Sequence, residues 1–162
     1  MLKEADIARL FQTVARTERV RLMEVKVNRN ARPTQIMLTV DLEDRFIPVE
    51  TCAIVSRQMQ DLLDMLDDAP NEYRLTVSSP GIDWPLTEEW QFRKNVGSHI
   101  RCRNKNGIVE GRIVSVTGGT VLLELDKGRL SATVAELSGA KLFLPGPRSP
   151  KTKRMKNENR NS

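Results

Sequence analysis

Ser78 and Ser79 stand side by side in "VSSPGIDWPL", close to Asp83, and the chain's single histidine, His99, follows in "GSHIRCRN". Hydroxyl, imidazole and carboxylate are the parts of an acyl-transfer triad, and triads arise in several chain orders. The segment lacks the Gly-x-Ser-x-Gly strand-to-helix elbow that presents such a nucleophile. His99 sits among cations on a predicted strand, so an exposed strand histidine is the simpler reading. No catalysis is expected.

A second group is acidic. Asp61, Asp64, Asp67 and Asp68 fall in "DLLDMLDD", at the end of a predicted helix. They include no histidine and do not follow the EF-hand pattern, so no metal is expected there. Acids in a last helical turn oppose the helix dipole, at about 0.3–1 kcal/mol each when unscreened. Such a patch suits a basic partner, such as an arginine- and lysine-rich protein.

The third group is basic: Arg93, Lys94, Arg101, Arg103, Lys105, Arg112, Lys127 and Arg129. Cations of this kind pair with phosphates without reading sequence. Arg101, Arg103 and Lys105 alternate, which puts them on one strand face opposite Ile100 and Cys102. Only seven aromatics occur in the whole chain and few interleave with the cations. A base-stacking platform is therefore not expected.

Cofactors find little purchase. Cys52 and Cys102 are far apart and outside any Cys-x-x-Cys, so a structural zinc is not expected and both read as small core hydrophobes. All nine glycines lie at or after Gly81. The first half thus cannot hold a P-loop, a Gly-x-Gly-x-x-Gly or a KH-type Gly-x-x-Gly. No apolar run approaches a membrane span, and the charged start "MLKEADIARL" forms no signal-peptide core. The expectation is a soluble cytoplasmic chain with no membrane partner, no small-molecule substrate and no cofactor.

The elements that position these groups follow from periodicity. Ile7, Leu10, Phe11 and Val14 share one helical face. Met23, Val25 and Val27 alternate as a strand, and Ile36, Leu38 and Val40 as another. Cys52, Val55, Met59, Leu62 and Leu66 mark a second amphipathic helix. Tyr73, Leu75 and Val77 make a third strand. The order α-β-β-α-β predicts helices packed on one face of a three-stranded sheet. After Leu86 a short helix runs to about Lys94. Short strands then follow, separated by "NKNG", "TGG" and "DKG", the texture of a small β-barrel. Its predicted interior is Ile100/Cys102, Ile113 with Val116, Val121/Leu123/Leu125 and Leu130/Ala132/Val134.

Charge divides the same way. Residues 146–162 carry six basic residues against one acid, and the remainder nets to zero. Within that remainder, residues 1–86 are acidic on balance and 87–145 basic. The reading is an N-terminal α/β domain over 1–86 with a joint at about 78–86, a barrel domain over 87–145, and a disordered basic tail over 146–162.

The segment "YRLTVSSPGIDWPL", Tyr73 to Leu86, resembles the signature of the bacterial ribosome maturation factor RimP family. Upstream, "VDLEDRFIPVETCAIVSRQMQDLLD" is similar to that family's aspartate-ended strand and its Cys-x-x-Val-Ser-Arg helix, here Asp41, Cys52, Val55, Ser56, Arg57, Leu63 and Asp64. "FRKNVGSHIRCR" and "VAELSGAKLFLP" are similar to its later strands. The resemblance implies an α+β protein of two domains, the second an SH3-like (Sm-like) small β-barrel. It also implies a non-enzymatic factor that binds immature small ribosomal subunits through ribosomal RNA and ribosomal proteins; separately, a monomer is expected. A general RNA-binding regulator using the barrel and tail is the alternative. The family usually has arginine where this chain has Trp84.

Ser78, Ser79, Pro80, Gly81, Asp83, Trp84 and Pro85 then form the inter-domain joint. Pro80 and Gly81 fit the central positions of a type II turn, and the serine hydroxyls are expected to serve its backbone. Trp84 is expected to pack the domains together at a fixed angle.

Overall fold

The computed structural model describes residues 1–145; the expected disordered basic tail, 146–162, lies outside them. α1 (Glu4–Glu18) buries Ile7, Phe11 and Val14 and ends on Arg19 in the left-handed region, with φ of 56°. β1 (Arg21–Asn28) runs antiparallel to β2 (Thr34–Asp41). α2 (Val49–Asp64) then crosses over to β3 (Tyr73–Ser78), which lies parallel to β2. A parallel neighbour requires such a crossover, which is why a helix separates these strands. The sheet order is β1-β2-β3.

Both helices contribute to one apolar core. Phe11, Val14, Val55, Met59 and Leu63 meet Ile36, Leu38 and Val40 there, all shielded from solvent. One strand departs from the expected phase. A bulge in β1 sets Leu22 opposite Val40 and Glu24 opposite Thr39, leaving Met23 as the extra residue. Leu22, Val25 and Val27 therefore pack against the core instead of Met23, Val25 and Val27. One inserted residue reverses the side-chain alternation on that side of the bulge.

α2 also stops earlier than its apolar period. It ends at Asp64, so Asp67 and Asp68 lie in the turn beyond it rather than on its last turn. Leu66 still reaches the core from that turn.

Beyond the joint, α3 (Glu89–Lys94) is a six-residue helix with Trp90, Gln91 and Phe92 buried. Gln91 Oε1 accepts from the backbone N–H groups of Thr87 and Glu88 at 2.7 and 2.9 Å. That fixes the helix start by satisfying donors no helical carbonyl reaches. β4 (His99–Asn104), β5 (Gly107–Thr117), β6 (Thr120–Glu124), β7 (Arg129–Thr133) and β8 (Lys141–Leu142) build a second sheet.

The predicted interior of that sheet is the one found: Ile100, Cys102, Ile113, Val121, Leu123 and Ala132 are buried together. Val116 joins Ile113 on the same side because a bulge lies between Ile113 and Ser115. Gly111 lets β5 press against β6. A Cβ there would meet Leu125 Cδ2 at 2.9 Å and the Glu124 carbonyl oxygen at 3.0 Å.

The strand order is β7-β6-β5-β4-β8, and among the described residues no pairing joins β7 to β8. The expected closed barrel is thus an open, curled five-stranded sheet in its hydrogen bonding. The bulge in β5 and the close approach at Gly111 favour bending of the sheet, but β8 has only two residues with which to pair.

Candidate nucleic-acid interface

The joint differs from its expected form in a physical detail. Gly81 keeps φ outside the left-handed region, so no type II turn places it third. Instead the Trp84 N–H donates to the Gly81 carbonyl at 3.0 Å, and the turn spans Gly81 to Trp84 with Asp83 inside it. Ser78 and Ser79 are exposed, and among the described residues their hydroxyls make no hydrogen bond to that turn. Pro85 already pairs with Lys141, and the Leu86 N–H donates to the Ala140 carbonyl at 2.7 Å. The chain is thereby fastened to the second sheet within one residue of Trp84.

What ties the two sheets together comes from α3. Lys94 extends its ammonium to Asp41 Oδ1 at 2.5 Å and donates to the Leu42 carbonyl at 2.9 Å. Its side chain is 4% exposed. The same ammonium lies 5.7 Å from the Trp90 ring and 5.6 Å from that of Phe46. The Arg21 guanidinium covers Trp90 at 5.2 Å. Cations over aromatic faces gain most where water is excluded. Trp84, the aromatic expected to carry the packing, is only half-buried and lines the gap beside this cluster. Sequence reasoning missed Trp90. Its spacing of four from Lys94 on one short helix was the available signal.

Lys94 therefore leaves the phosphate-facing set: its charge is spent on Asp41, out of water's reach. Lys105 departs from the expected strand face too, since β4 ends at Asn104 and Lys105 occupies the β4–β5 turn. Lys127 sits in the β6–β7 turn and Arg93 on α3, where it pairs with Glu89.

The remaining arginines share the outer face of the second sheet. Register places Lys141, Arg101 and Glu110 in one cross-strand row and His99, Arg112, Glu124 and Arg129 in another. Arg103 lies on the same face of β4 as Arg101, both exposed, opposite buried Ile100 and Cys102. Arg101 pairs with Glu110 at 2.7 Å, while Glu124 is shared by Arg112 at 3.3 Å and Arg129 at 3.9 Å. Exposed pairs of this kind are worth about 0–1 kcal/mol, so a phosphate can displace the carboxylate. Arg103 and Lys141 have no ion-pair partner among the described residues. Lys141 was not singled out from sequence, because only pairing with Arg101 brings it onto the face.

The acidic group is split. Asp64 accepts from the Tyr73 hydroxyl at 2.6 Å, bridging α2 to β3. Burial, and then the Asp64 carboxylate, push the Tyr73 phenol well above its ordinary range. Asp68 lies 3.9 Å from the Met1 ammonium. Asp61 and Asp67 are exposed. His99, the candidate triad imidazole, rests edge-on to Phe143 with ring centroids 6.1 Å apart, not against a serine. Burial raises the thiol pKa of both Cys52 and Cys102, with Asp41 adding to the effect at Cys52.

Two separately cored sheets, joined by a buried ion pair and carrying a basic sheet face and an acidic helix end, define an α+β protein. Residues 10–83 match the family model of the RimP N-terminal domain. That match spans just under half of the chain and supports the RimP family, whose members are ribosome maturation factors. Among the described residues no helix is long and apolar enough to cross a membrane.

Proposed function

We propose that this protein is a cytoplasmic, monomeric factor that binds immature small ribosomal subunits and assists their assembly without catalysing a reaction. The observation that carries this reading is the RimP N-terminal domain joined, through a buried ion pair, to a basic sheet face. In this reading the second sheet acts as an SH3-like small barrel, and the domain boundary falls at the joint near residue 86. Arg101, Arg103, Arg112 and Arg129 contact ribosomal RNA phosphates, with Lys141 added to their face and Arg93, Lys105 and Lys127 at its margins. Asp61, Asp64, Asp67 and Asp68 meet a basic ribosomal protein. The joint, Ser78 to Pro85, holds these two surfaces at a set angle so that one particle engages both.

Sedimentation tests the reading. Tagged protein is expected to travel with immature small subunits and to be depleted from mature ribosomes. Equal association with free RNA and with both kinds of particle would instead favour a general RNA-binding regulator.

A further inference from the structure

A groove runs where the two modules meet, its walls drawn from the β2–α2 loop, the joint and the second sheet. Phe46 lies in the β2–α2 loop and Ile82 in the joint; Phe143 and Leu144 follow β8; Asn95 caps the end of α3 and His99 begins β4. Phe46, Ile82 and Leu144 are 72%, 47% and 81% exposed. Contiguous exposed apolar side chains rimmed by polar groups mark a contact site.

Asn95 says what the occupant must offer. Its Nδ2 donates to the Gln91 carbonyl at 2.7 Å, which fixes which way the amide faces. The residue is 4% exposed, and Oδ1 is the one buried side-chain polar atom among the described residues without a hydrogen-bond partner. A buried acceptor in this condition calls for an N–H or O–H donor.

Charge completes the description. A second hollow, which shares Leu142 and Phe143 with the groove, is lined by Arg101, Arg103 and Lys141 against one carboxylate, Asp83. The Arg101 guanidinium lies 4.8 Å over the Phe143 ring. An apolar groove, one waiting acceptor among its lining residues and cations in the adjoining hollow match a ring with N–H donors on its edge and a phosphate one sugar away. A base inside a duplex cannot present that edge, whereas an unpaired one can.

We propose that this groove takes one unpaired nucleotide of RNA. Its base lies against Phe46 and Phe143, an amino or imino N–H meets Asn95 Oδ1, and its phosphate meets Arg101 and Lys141. Because Oδ1 is covered in the free protein, seating the base requires the groove wall over Asn95 to shift. The inference rests on the RNA-binding reading of the basic face and adds a preference for unpaired RNA.

The test compares a labelled single-stranded RNA oligonucleotide with a blunt duplex of the same sequence, across a salt series. The proteins are the full chain, Phe46→Ala and Ile82→Ala, two exposed positions where truncation spares the cores. The single strand is expected to bind more tightly than the duplex, with Phe46→Ala weakening it about tenfold or more and leaving the duplex unchanged. Equal binding of both RNAs, unaltered by either substitution, would overturn the groove site while leaving the RNA-binding reading intact. Absence of salt-dependent binding to either RNA would overturn that reading and this one with it. Loss of subunit binding in Phe46→Ala with single-strand affinity unchanged would assign the groove to a protein side chain and overturn the nucleotide.

Discussion

Lys94 of α3 and Asp41, the last residue of β2, form an ion pair across the joint at 2.5 Å with side chains only 4% and 12% exposed. Asp41 is held from its own side as well, because Oδ1 accepts the Leu42 N–H at 2.9 Å. Removing one partner of a buried pair strands the other charge, at about 3–5 kcal/mol. Lys94→Met is therefore expected to destabilise the fold by roughly that amount. Its thermal unfolding should separate into two transitions, one for each core. A single transition shifted by less than about 1 kcal/mol would mean that other contacts set the inter-module geometry.

Lys94 also discriminates between losing a charge and losing a phosphate contact. Arg103→Ala should lower RNA affinity across sequences. It should reduce the slope of log affinity against log salt by about one, since one fewer phosphate is neutralised. Lys94→Met removes a cation that faces Asp41 instead, so its slope at temperatures where the protein stays folded should match the parent. Filter binding over a salt series measures both.

Tyr73 is the chain's only tyrosine, so absorbance near the phenolate band reports it alone. Its folded pKa lies above the ordinary value of 10, first through burial and then through Asp64. A raised folded pKa means that the native state holds its proton more tightly than the unfolded chain does. The stabilisation is complete below about pH 10 and is lost as pH climbs toward the folded value. Tyr73→Phe should flatten the alkaline fall in stability. Asp64→Asn should bring the phenol titration back toward pH 10.

Gly111 tests the sheet's curl. A methyl group there meets the Glu124 carbonyl oxygen at 3.0 Å, and backbone does not yield as a side-chain tip would. Gly111→Ala is expected to cost about 1–3 kcal/mol, the range for overpacking, measured by denaturant unfolding. Gly81→Ala, with nothing within 4 Å of its added Cβ and no left-handed φ, should be close to neutral.

Much of the fold was legible because burial imposes periods that short windows reveal. The spacing of Ile7, Phe11 and Val14 and the alternation of Ile36, Leu38 and Val40 led directly to residues now fully or nearly buried. Even the odd spacing of Ile113 and Val116 was read as one face, and a bulge is what permits it. Met23 shows the limit. A bulge costs no unusual residue type, so the change of phase that turns Leu22 inward left no mark in the composition.

The site was legible in its charges and not in its geometry. Residue types alone determined that this chain has an acidic half and a basic half, that its glycines exclude a phosphate-cradling loop in the first, and that few aromatics are available. Tertiary structure decided which of those charges face outward. Lys94 reads like Arg93 in sequence, yet it is buried because α3 docks that side chain against a carboxylate and a carbonyl more than fifty residues away. It also decided where the scarce aromatics go. Phe46 and Phe143 are far apart in the chain and unremarkable in their local patterns, but packing of the two modules lines one groove with both. Local patterns record what each element buries against its own core; contacts between modules have no period to record.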